Sequence, residues 1–61
     1  MHSNVWDRIA ERGGIPWLSR ATGYTYMHIW KVKTGLRPAT PRFRHAVALA
    51  LGIPVSEVEA A

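Results

Sequence analysis

Apolar residues in this chain recur at helical spacing, and glycine and proline break them into short runs. Trp6, Ile9 and Ala10 stand at i, i+3 and i+4, the spacing that puts side chains on one helix face. Asn4 precedes them as a candidate N-cap, with Asp7 expected in the first turn to complement the helix dipole. Gly13-Gly14 predicts the end of this helix. Proline fits a helix only in its first turn, so Pro16 predicts a second helix starting near Ile15. Gly23 predicts its stop, since a left-handed glycine commonly closes helices. Thr25 is then a cap for a third helix, Tyr26 to Thr34, closed by Gly35. Leu36 to Ala39 reads as loop, and Thr40-Pro41 as a cap followed by proline at the first helical position. Phe43, Ala46, Val47, Ala50 and Leu51 give that fourth helix an inward stripe, which Gly52 ends. Pro54 to about Ala60 allows a short fifth helix carrying Val55 and Val58. Strand-like alternation is absent. The expected fold is therefore all-α, one compact domain of four to five helices over residues 1–61.

Length changes this picture only by setting how little is available to hold it together. A chain of 61 residues buries only roughly 60% of its unfolded surface on folding. With no cysteine there is no disulfide or thiolate-zinc site, so packing must suffice. A hydrophobic fraction of 48% is ample for a core and argues against disorder. No apolar run approaches the roughly 20 residues of a membrane span. Met1-His2-Ser3-Asn4 lacks the basic-then-apolar order of a signal peptide. The expectation is a cytoplasmic protein, bacterial or from a phage-infected host, with Met1 as its natural start.

Charge changes it more. The formal net charge is +4, with a sequence pI near 10.4. Asp7 and Glu11 lie near one end and Glu57 and Glu59 near the other. Between Arg12 and Ser56 no acidic residue occurs, yet Arg20, Lys31, Lys33, Arg37, Arg42 and Arg44 all do. Solvated surfaces usually mix signs, because mixing avoids self-repulsion. A long interval of one sign is what a polyanion-binding face requires.

The stretch "LSRATGYTYMHIWKVKTG", Leu18 to Gly35, joins the pattern to the charge. Gly23 supplies the positive φ of a tight turn, Ile29 and Val32 point back into the angle between two helices, and Leu18 plugs it from the other side. Ser19 is small where the helices approach most closely. With Gly35 and the "TPRFRHAVALALGIPVSEV" segment, this resembles the helix-turn-helix domains of lambda-type phage repressors, Cro proteins and related small bacterial regulators. The likeness runs from about Val5 to Val58, with the helix-turn-helix at about residues 15–34. It implies a lambda-repressor-like domain whose second and third helices form that motif. It also implies binding of a double-stranded DNA operator, as a homodimer in most members, and regulation of transcription. The chain departs from the family in three places. Ile15 stands where glutamine is common, Ser19 where alanine is usual, and Lys33-Thr34-Gly35 where a glutamate often precedes the closing glycine.

Carried onto matching positions, the resemblance implies base contacts from Tyr26, Met27 and Lys31 in the major groove, which admits an α-helix. Lys31 would donate to guanine, Met27 would pack on thymine methyls, and Tyr26 would offer ring or hydroxyl. Backbone contacts would come from Thr25, Trp17, Arg37, Arg42 and Arg44. Trp30 turns about 100° from Lys31, and either packs on the following loop or lies along a sugar-phosphate strand.

The remaining residues favour plainer roles. Trp6 and Trp17 are expected at the core or its edge, and His28 and His45 at the surface. No His-x-x-x-His or carboxylate cluster points to a metal, and no cofactor or small-molecule ligand is expected. Arg8 and Arg12 are expected to pair locally with Asp7 and Glu11. No nucleophile–base pair marks an enzyme. The competing reading is a protein-interaction module on the same fold, an antirepressor or toxin partner binding an acidic protein surface. A dimer surface would come from Phe43, Leu36 or the last helix with Val55 and Val58.

Overall fold

A computed structural model describes residues 3–59. Its helices are α1 (Ser3–Arg12), α2 (Gly14–Thr22), α3 (Tyr26–Lys33), α4 (Pro41–Leu51) and α5 (Val55–Glu59). Among the described residues there is no strand. Over the described residues the fold is a compact all-α domain of five helices. The expected reach of the last helix to Ala60 lies outside the described residues.

Two expectations for α1 are corrected. The helix is under way at Ser3, so Asn4 lies within it instead of capping it, and no acidic residue falls in the first turn. Its buried stripe is centred on Val5 and Ile9, with Trp6 half-buried. Ala10, about 100° round from Ile9 on a helix of 3.6 residues per turn, is exposed. Gly13 and Gly14 then redirect the chain with φ of 129° and 78°, and α2 starts at Gly14. A Cβ on Gly13 would stand 3.0 Å from the Cβ of Trp17, so this junction needs glycine for space as well as for φ.

The core gathers one or more residues from each of the first four helices: Val5 and Ile9, Ile15 and Leu18, Ile29 and Val32, and Phe43, Val47 and Leu51. Trp6 and Trp17 pack on its edge as expected. Gly52 ends α4 in the left-handed conformation, and the chain turns back so that α5 lies on α4 and buries Val58 completely. The fully buried Phe43 and Val58 are thereby removed from any surface between two copies; of the residues considered for that role, Leu36 is 66% exposed. The arginines of α1 also depart from expectation. Arg8 reaches Glu57 of α5 at 3.5 Å, and Arg12 reaches the Leu51 carbonyl at 3.5 Å while its guanidinium lies 5.7 Å from the Trp17 ring centroid. Both tie α1 to later elements instead of to their own helix neighbours.

Candidate nucleic-acid interface

The link Gly23-Tyr24-Thr25 between α2 and α3 is fixed by side chains that its own sequence provides. Gly23 takes φ 83° and its N–H donates to the Ser19 carbonyl at 2.9 Å. Ser19 Oγ donates to the Tyr24 carbonyl at 2.6 Å, so the serine does more than allow close approach. Thr22 Oγ1 donates to the Leu18 carbonyl at 2.7 Å and accepts the Tyr24 N–H at 3.3 Å. Thr25 Oγ1 accepts the His28 N–H at 3.1 Å and so caps α3. Beneath the turn, Leu18 and Ile29 are fully buried and Val32 nearly so. α3 is thus anchored by one stripe and held at its N-terminus.

The opposite side of α3 is open. Tyr26 is 51%, Met27 55% and Trp30 40% exposed, and Lys31 is half-buried beside them. Trp30 is i+3 from Met27 and i+4 from Tyr26, so the three form one continuous patch. The sequence alone left Trp30 between two placements. The burial of Ile29 and Val32 turns position 30 outward, where Trp30 is exposed. His28 is not a surface histidine. It is half-buried, its ring stacked on Tyr24 with centroids 4.9 Å apart and tilted against Phe43 at 5.9 Å, so it joins α3 to α4.

The loop after α3 is folded onto the helix end. The Leu36 and Arg37 N–H groups both donate to the Lys31 carbonyl, at 2.8 and 3.2 Å, and Thr34 Oγ1 donates to Trp30 O at 3.0 Å. Thr40 then caps α4 by accepting the Phe43 N–H at 3.2 Å, with Pro41 following it. These contacts hold Arg37 in the loop and Arg42 in the first turn of α4, both exposed.

Among the described residues, Lys31, Lys33, Arg37 and Arg42 carry no ion pair or side-chain hydrogen bond. Arg44 differs from them. Its Nη1 donates to the Ala39 carbonyl and its Nε lies 3.6 Å from a Glu59 carboxylate oxygen, just beyond hydrogen-bond reach. It is half-buried and committed to holding the loop and α5 on α4. Trp17 is half-buried at the start of α2, and Thr25 is exposed at the start of α3. No group of three or more metal-ligating side chains occurs among the described residues, and none of their helices is long and apolar enough to cross a membrane.

Fold and site together define a small five-helix domain that presents one helix with an aromatic and methionine patch flanked by partnerless cations. Comparison with protein-family models, with curated proteins and with solved structures finds no match to the chain.

Proposed function

We propose that this protein is a sequence-specific double-stranded DNA-binding regulator of transcription, in which α2 and α3 act as a helix-turn-helix and α3 enters the major groove. The observation that carries this reading is the composition of the open side of α3. Tyr26, Met27, Trp30 and Lys31 stand out from a helix anchored by Ile29 and Val32, with Lys33, Arg37 and Arg42 free around them. Apolar surface beside unpaired positive charge suits a groove whose floor carries base edges and methyls and whose rims carry phosphates.

Tyr26, Met27 and Lys31 are assigned to bases, and Thr25, Trp17, Arg37 and Arg42 to the backbone. The Thr25 oxygen accepts the cap hydrogen bond, which leaves its own hydrogen for a phosphate. Arg44 is left out of this set, because its guanidinium is engaged within the fold. The family resemblance supports the same reading: a lambda-repressor or Cro-like regulator acting in a bacterial or phage-infected cytoplasm. Two copies on a palindromic operator would meet through surface that includes Leu36.

The test is selection from a randomised duplex library, followed by binding of the winner and a scrambled control across a salt series. An enriched motif preferred tens-fold or more supports the reading. Equal binding of both duplexes defeats it, and directs attention to an acidic protein partner for the same face.

A further inference from the structure

We infer that α3 reads thymine C5-methyl groups in its DNA, with Met27 and Trp30 as the side chains that cover them. This rests on the DNA-binding reading above and goes further, because it names the chemical feature that is read. The argument starts from what α3 lacks. Its sequence, YMHIWKVK, contains no asparagine, glutamine or arginine. Asparagine and glutamine make the paired hydrogen bonds to adenine, and arginine or lysine those to guanine, so only its lysines remain for such a contact. Its polar groups are few. Lys31 is half-buried, His28 is stacked on Tyr24 and turned toward Phe43, and Lys33 lies about 40° from the buried Ile29 on the helix circumference.

What projects furthest is apolar. The direction opposite the Ile29–Val32 stripe passes through Met27, with Trp30 about 60° to one side and Lys31 about 40° to the other. Met27 is 55% and Trp30 40% exposed, so both leave carbon surface open on this side. Tyr26 extends the same patch at the N-terminal end of α3. Of the four bases, thymine alone presents a methyl group in the major groove. A flexible thioether beside a flat indole can close over such a methyl and exclude water from it. The surrounding free cations make duplex DNA the occupant of this face by charge, and the patch selects within it.

The experiment uses the protein with the duplex that wins library selection. Each thymine is replaced in turn by deoxyuracil, which removes only the methyl, and then by 5-bromouracil, which restores its bulk. Removing a buried methyl is expected to weaken binding about four-fold at one or more positions, and bromine is expected to restore it. Met27→Ala and Trp30→Ala alter exposed side chains, and their folding is verified by circular dichroism. At least one of them is expected to abolish the difference between thymine and deoxyuracil. A preferred duplex that is insensitive to deoxyuracil at every position overturns this inference and leaves DNA recognition standing. Sensitivity that persists unchanged in both variants overturns it too, since the methyl would then act through DNA shape. If no duplex is preferred at all, the underlying reading fails with it.

Discussion

At the scale of single residues, chemically similar side chains have been given different work by their neighbours. Lys31 and Arg44 are both cations in the acid-free interval, yet Arg44 is spent on Ala39 and Glu59 while the Lys31 ammonium has no partner among the described residues. The Lys31 backbone carbonyl receives two N–H groups from the following loop, so the residue's position is fixed while its side chain stays free. Lys31→Ala is therefore expected to lower base preference at one position, by about 1–3 kcal/mol, with little change on unrelated sequence. Titrating the preferred duplex and its single-base variants measures this; an equal loss on preferred and random DNA would show that Lys31 meets phosphate only. Ser19 has a different role, because its hydroxyl holds the Tyr24 carbonyl in the turn. Ser19→Ala should cost about 1 kcal/mol of stability, the usual net value of a protein hydrogen bond. Urea denaturation would reveal it, and an unchanged midpoint would mean that water replaces the hydroxyl without loss.

At the scale of elements, glycines that look alike in sequence end helices under different constraints. Gly23 has φ 83° and open space where a Cβ would stand, whereas Gly13 has φ 129° and the Trp17 Cβ at 3.0 Å. Gly23→Ala should cost the left-handed penalty alone, roughly 1–2 kcal/mol. Gly13→Ala should cost more, because the Trp17 Cβ, fixed to the α2 backbone, must also give way. Comparing the two midpoints in denaturant decides it; equal losses would mean that Trp17 moves aside freely. The same contrast explains what could be read in advance. Gly23, the Thr25 and Thr40 caps, and the buried Leu18, Ile29 and Val32 depend on residues a few positions apart, so spacing exposes them. Arg8 on Glu57 and Arg12 on Leu51 span 49 and 39 residues, and no local rule anticipates such partners. The burial of Val58 likewise follows from α5 folding back on α4. In the candidate site, the exposure of Tyr26 and Met27 is legible from their positions after the turn. The place of Trp30 emerged only when the rotation of α3 about its buried stripe was known.

At the scale of the whole molecule, the question is whether net positive charge or its arrangement would govern binding. All four acidic residues lie on α1 and α5, and two of them are paired, Glu57 with Arg8 and Glu59 with Arg44. Among the described residues, the cations without partners include Lys31, Lys33, Arg37 and Arg42. If Arg37 and Arg42, the two of them assigned to the backbone, each neutralise a phosphate, the logarithm of the binding constant should fall against the logarithm of salt with a slope of about −1.8 per domain. Arg42→Ala and Arg8→Ala make a matched pair for separating the two possibilities. Each removes one positive charge from the molecule, so a field set by net charge responds to both equally. Arg42 is free in the first turn of α4, however, whereas Arg8 already faces Glu57 at 3.5 Å. Arg42→Ala should flatten the slope by about 0.9 and weaken binding to all sequences alike. Arg8→Ala should leave the slope unchanged, because losing an exposed ion pair subtracts no phosphate contact. Equal flattening by both variants would mean that only diffuse attraction operates, and that the placement of charge around α3 has no part in binding.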